Sequence, residues 1–116
     1  QLHAGAYGFA SRSWGIRNTL ETRFDTASVT KLFTAVAILQ LVDEGAFALD
    51  TKALEYLELT GTAIDPRVTV EHLLTHTSEG VPGSAYRYNG NRFGNLDQVI
   101  QSASGRTFAI CAGGTA

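Results

Sequence analysis

Between Leu32 and Val42 no residue is charged, and only Thr34 and Gln40 are polar. Val29, Leu32, Phe33, Val36, Ile38, Leu39, Leu41 and Val42 cover nearly the whole circumference of a helical wheel. The pattern predicts a helix from Ser28 to about Glu44, buried on most of its sides. Thr26 and Ser28 both stand where an N-cap is expected, and Gly45 follows as a C-terminal cap. A second periodic stretch places Phe93, Leu96, Val99, Ile100 and Ala103 on one helical face, with Gly105 as its stop. Between the two, Asp50 is a candidate cap for a short helix carrying Leu54 and Leu57. Thr69 is a candidate cap for another, with Val70, Leu73 and Leu74 facing inward.

The remainder is less regular. Residues 4–18 read as extended, with two short strands around the turn-like Ser11-Arg12-Ser13. Asn18 to Asp25 reads as a polar loop in which Phe24 is expected to anchor into the core. Thr60-Gly61 and Asp65-Pro66 signal turns, and Gly80 to Gly90 reads as loop. Thr107 to Ala116 carries no clear pattern. Trp14 and Phe47, with Phe24, are read as core or lid aromatics.

Composition narrows the function classes. The 116 residues suffice for one small domain and not for two. An apolar fraction of 44% and a charged fraction of 17% are globular values. The formal net charge of -2 and the absence of any Lys/Arg run argue against nucleic acid as a partner. Leu32–Val42, the longest apolar stretch, is too short to span a bilayer. No signal-peptide pattern opens the chain, as would also be true of a processed one. Cys111 is the only cysteine, so an internal disulfide is impossible, and compartment stays open.

The candidate chemistry lies at the start of the first apolar helix, at Ser28-Val29-Thr30-Lys31. Residues three apart share a helical face, so the Ser28 hydroxyl and the Lys31 amine can point into one site. A serine hydroxyl is a poor nucleophile until a base removes its proton. Lysine serves as that base when apolar surroundings disfavour its charged form. A serine in the first turn also faces free backbone N–H groups and the positive end of the helix dipole, which favour an oxyanion. The competing reading makes Ser28 an N-cap and sends Lys31 out to solvent. With seven serines and two lysines in the chain, the spacing alone is weak evidence.

The stretch from Thr22 to Ala35, around Ser28-Val29-Thr30-Lys31, resembles the nucleophile segment of the beta-lactamase-related serine hydrolases, a family that includes class C beta-lactamases, D-alanyl-D-alanine carboxypeptidases and esterases. Leu39–Gly45 with Leu49-Asp50, then Val68–Ser78, Pro82-Gly83, Tyr88 and Ser104-Gly105-Arg106, follow the family's order. The resemblance runs from about Gly5 to Phe108. It implies an α+β, beta-lactamase/transpeptidase-like fold, here mainly the helical lobe with a small remnant of the antiparallel sheet. It also implies an acyl-enzyme on Ser28, formed with an amide, lactam or ester, with Lys31 as general base and Tyr88 assisting proton transfer. The family's tyrosine is followed, one residue on, by asparagine. Here the sequence reads Tyr88-Asn89-Gly90, which leaves Asn89 or Asn91 as the candidate substrate-binding amide, or no amide at all.

The family's third motif, Lys-Thr-Gly or His-x-Gly on a sheet strand, does not occur after Tyr88; Leu59-Thr60-Gly61 lies in the wrong place. Residues 1–116 therefore read as a partial hydrolase domain, expected to be inactive or nearly so by itself. The alternatives are a non-hydrolytic penicillin- or peptidoglycan-binding module and a gene fragment without independent function. The resemblance implies no cofactor, a small-molecule or peptide acyl substrate, and a periplasmic or extracellular setting. His72 and His76 are four apart, but Leu73 stands where the zinc-protease pattern requires Glu. The expected roles of His76, Thr77 and Ser78 are hydrogen bonds within a loop.

Overall fold

The computed structural model describes residues 1–58 and 63–106. Among these, three α-helices follow a short two-stranded antiparallel sheet. β1 (Phe9–Ser11) pairs with β2 (Ile16–Arg17), Phe9 opposite Arg17 and Ser11 opposite Ile16. The hairpin buries nothing: no residue before Thr34 is buried. Phe24 and Trp14 are exposed, contrary to the expectation that Phe24 anchors in the core, because no second layer among the described residues covers that side. Of the three aromatics only Phe47 joins the core.

The first long helix, α1 (Thr30–Asp43), has no glycine or proline. A 3-10 turn, Ala27–Val29, leads into it. Neither Thr26 nor Ser28 caps α1 through its side chain, so both cap expectations fail. The predicted C-terminal cap is present: Gly45 has φ 78°, its N–H donates to Val42 O, and the Ala46 N–H donates to Leu41 O. That pair of bonds closes the helix end and uses the conformation glycine adopts at least cost.

One face of α1, made by Thr34, Ala37, Ile38 and Leu41, is buried. Across from it Val29, Leu32, Phe33 and Val36 remain 54%, 68%, 57% and 55% exposed. The expectation of burial on most sides is therefore met on one side only by the described residues. An apolar run without helical periodicity cannot say which side that is.

Chain reversals after α1 set up the second and third helices. The expected Asp50-capped helix is only a 3-10 turn, Ala53–Glu55, entered from extended Lys52. Lys52 is tied to Thr69 by an isolated bridge, which stops the turn from growing toward Asp50. Leu57 is buried and Leu54 half-buried. Thr69 caps α2 (Val70–Leu74) as expected, and His72 completes a reciprocal box: Thr69 Oγ1 accepts the His72 N–H, and His72 Nδ1 accepts the Thr69 N–H. α3 (Gly90–Ser104) begins at Asn89, whose Oδ1 accepts the N–H groups of Asn91 and Arg92. Its buried residues are Phe93, Leu96, Val99 and Ile100, the predicted face, and Gly105 ends it with φ 67°.

α3 packs against both α1 and α2. Ile38, Leu73, Leu96 and Ile100 are among the largest fully buried side chains of the core cluster formed by the described residues. No helix among the described residues is long and apolar enough to cross a membrane.

The two faces of α1 differ in what a truncation removes. Ile38→Ala is expected to cost about 2–5 kcal/mol, because a fully buried side chain leaves a cavity. Val36→Ala is expected to stay within about 0.5 kcal/mol, since among the described residues it is more than half exposed. Urea unfolding of the two variants checks the assignment of faces.

Candidate active site

Ser28 sits at the centre of the 3-10 turn that precedes α1. The turn is held from both ends: Asp25 Oδ1 accepts the Ala27 N–H at 2.8 Å, and the Val29 N–H donates to Thr26 O at 3.0 Å. Ala27, immediately before the serine, has φ 46°. An L-residue with a Cβ adopts that conformation at a cost of about 1–2 kcal/mol, so the turn is imposed by its surroundings. Ser28 Oγ, free of any capping role, accepts two hydrogen bonds. One comes from Lys31 Nζ at 3.3 Å and the other from the Tyr88 hydroxyl at 2.7 Å.

The serine and lysine meet because they lie three apart across the turn and the first residues of α1. Tyr88 arrives from sixty residues away, on the segment that enters α3. Lys31 is half-buried, with its ammonium 5.2 Å from the Tyr88 ring centroid and 5.8 Å from that of Phe93. The Tyr88 phenol is held below its ordinary value, first by its interaction with Lys31 and then by its hydrogen bond to Ser28. A cleft of about 170 Å³ between α1 and α3, lined by Ala27, Lys31, Thr34, Gly90, Phe93 and Asp97, opens beside the ammonium. Desolvation raises the Asp97 carboxyl in that cleft. A larger cavity, about 290 Å³, lies by the hairpin against Tyr7, Asn18 and Phe24 and includes none of the three converging residues.

Asn89 and Asn91 are placed differently from the triad. Both ends of the Asn89 amide are engaged in the fold: Oδ1 caps α3, and Nδ2 donates to Glu79 Oε1 at 2.9 Å. Asn91 is exposed in the first turn of α3. Gly90 faces Lys31, and a Cβ built there would lie 3.9 Å from Nζ, an ordinary contact. The two histidines are engaged separately, His72 with Thr69 and His76 with Asn89. Among the described residues no group of three or more His, Cys, Asp or Glu side chains could hold a metal ion. Leu59-Thr60-Gly61 and Cys111 lie outside the described residues.

Sequence reasoning did not find the ring cluster around Tyr88, in which His76 and Phe93 take part. Nor did it find that Asn89 is a cap. An asparagine directly before a helical pattern is the available signal for the second. The first leaves no local trace.

A model of the Beta-lactamase family matches residues 1–114, and the chain belongs to that family. It is 36% identical over 85 residues to penicillin-binding protein 4 of Amycolatopsis lactamdurans, a match covering 71% of this chain and 22% of that protein. It is 41% identical over 81 residues to esterase EstB of Burkholderia gladioli, covering 66% of this chain and 21% of the esterase. Among solved structures, the penicillin binding protein from Bacillus halodurans superposes with a TM-score of 0.78 at 33% identity, over 91% of this chain and 42% of that one. The fold is thus beta-lactamase/transpeptidase-like. The chain spans about a fifth of the length of the curated relatives it matches.

The contact between Lys31 and the phenol predicts a titration result. Lys31→Met is expected to move the Tyr88 phenol back up toward about 10, its ordinary value. Ultraviolet or NMR titration of Tyr88, assigned with Tyr88→Phe, checks it.

Proposed function

We propose that this chain carries the nucleophile of a serine acyl-transfer site, with Ser28 as the attacking group and Lys31 and Tyr88 as its proton carriers. The observation that supports this most directly is the convergence of two titratable donors on one oxygen, at 2.7 Å and 3.3 Å. In the reaction, the Lys31–Tyr88 pair takes the hydroxyl proton as Oγ bonds to the carbonyl carbon of an amide, lactam or ester. The tetrahedral intermediate collapses, the leaving group departs with a proton returned by the pair, and Ser28 is left as an ester. Water then attacks that ester, and the serine recovers its proton. The downward shift on Tyr88 fits this role, since it brings the phenolate, the form that can accept the Ser28 proton, closer to neutral pH beside the ammonium.

The Gly90 position bears on substrate choice. No side-chain amide stands there, and Asn89 is already engaged, so the site favours ester- or peptide-type acyl donors over lactams. The likeness to an esterase and to a penicillin-binding protein is compatible with this choice. A slow-turnover acyl-binding module is the second reading, favoured by the same missing amide. Release of one equivalent of product against continued release separates the two.

Two outcomes test the reading. In the full-length protein, Ser28→Ala is expected to abolish covalent labelling by a fluorophosphonate or a penicillin, read by intact mass. Persistent labelling of that variant removes Ser28 from the role. The 116-residue chain alone is expected to react at least about a hundredfold more slowly than the full-length protein. That is the loss that follows when even one oxyanion donor is absent. Stoichiometric burst labelling of the short chain would contradict it.

A further inference from the structure

We infer that His76 is the positioning residue that holds Tyr88 over Ser28; this rests on the acyl-transfer reading above. The backbone on both sides of Tyr88 is tied to this one histidine. His76 O accepts the Arg87 N–H at 2.7 Å, and His76 Nδ1 accepts the Asn89 N–H at 3.2 Å. The imidazole also lies against the phenol itself, with centroids 4.6 Å apart and planes at 30°. Its position is fixed in turn by Phe93 of α3, stacked at 5.1 Å, and by Tyr86, edge-on at 5.8 Å. The residue's backbone is left-handed, with φ 55°, where α2 ends: the His76 N–H donates to Leu73 O and the Thr77 N–H to His72 O. That conformation is uncommon outside glycine, and asparagine, aspartate and histidine tolerate it better than most residues.

The hydrogen bond dictates the tautomer. Nδ1 accepts from Asn89 and so carries no proton; Nε2 must carry it. A second proton on the ring would turn that acceptor into a donor facing an N–H. Burial and the Lys31 charge both oppose protonation and hold the His76 pKa below its ordinary value. The other titratable groups around it are Tyr86 and Tyr88 on the returning segment. Glu79 and Arg87 belong to the same loop, the first bonded to Asn89 and the second paired with Glu79 at 3.5 Å. As pH falls below about 6.5 toward the depressed value, His76 takes up its proton, the Asn89 contact is lost, and Tyr88 is released.

Two substitutions separate the ring from the acceptor. His76→Phe keeps an aromatic surface and loses Nδ1. His76→Asn keeps an acceptor at the same distance from the backbone, does not titrate, and tolerates the left-handed turn. In the full-length protein, His76→Phe is expected to return the Tyr88 phenol toward about 10, measured by NMR titration. It should also slow Ser28 labelling by a fluorophosphonate by about ten- to a hundredfold. His76→Asn is expected to label within about tenfold of the parent and to lack the parent's acid limb below about pH 6.5. An unchanged Tyr88 titration in folded His76→Phe overturns the inference. So does an acid limb that persists in His76→Asn, which decides the matter if His76→Phe fails to fold. The phenol titration needs no catalysis, so loss of the Ser28 role leaves it readable, and labelling of Ser28→Ala remains the separate sign that the acyl-transfer reading has failed.

Discussion

The packing of α1 against α3 is the constraint on which the rest depends. Ala37, Ile38 and Leu41 from one helix and Phe93, Leu96 and Ile100 from the other belong to one buried cluster. Burial of fully enclosed aliphatic side chains contributes on the order of 1.5–3 kcal/mol each, far more than any single polar contact at the exposed site. Once the two helices are fixed side by side, their N-terminal ends are fixed too. The turn carrying Ser28 precedes one of them, and the segment carrying Tyr88 precedes the other. The catalytic candidates are thus brought together by where two helices start. The hydrogen bonds between them are a consequence of that placement and contribute little to it.

Two described residues adopt left-handed backbone without being glycine: Ala27 at φ 46°, before α1, and His76 at φ 55°, just past the end of α2. Each such residue costs about 1–2 kcal/mol, and each is held by named bonds. Asp25 Oδ1 fixes the Ala27 N–H. The Arg87 and Asn89 N–H groups fix His76. Among the described non-glycine residues only these two are left-handed, Ala27 in the turn that carries Ser28 and His76 where α2 ends. The first adjoins a hydroxyl; the second lies against a phenol.

Much of this was legible in the sequence, for identifiable reasons. The α3 stripe is periodic, and a periodic stripe names its buried face. Gly45, Thr69 and Gly105 stand at helix ends as their backbone preferences require. The α1 run was legible as a helix but not as a packed one, because an all-round apolar pattern carries no direction. Ser28 was ambiguous between cap and nucleophile, since serine suits both. Only the three-dimensional path shows the turn bending so that the hydroxyl meets Lys31 and Tyr88. Tyr88 itself was nameable only by family resemblance, for a separation of sixty positions from Ser28 leaves no periodicity to read. The His72 cap partner was missed because the familiar box uses Glu or Gln at that position.

Gly90 shows how a single missing side chain redistributes the work of a site. The backbone there does not demand glycine: φ is not in the left-handed range, and a Cβ would find only ordinary contact with Lys31. The space beside the ammonium is therefore open by choice of residue rather than by steric need. In place of an amide, Lys31 has the Ser28 oxygen at 3.3 Å and two aromatic faces, Tyr88 and Phe93. Ring faces attract a cation but offer it no directed lone pair. The ammonium is thereby coupled to the phenol more than to any amide, which is the coupling that lowers Tyr88. With the neighbouring amide of Asn89 given over to the α3 cap and to Glu79, the side chains that hydrogen-bond Ser28 Oγ are those of Lys31 and Tyr88, and the geometry of that pair rests on what holds the phenol in place.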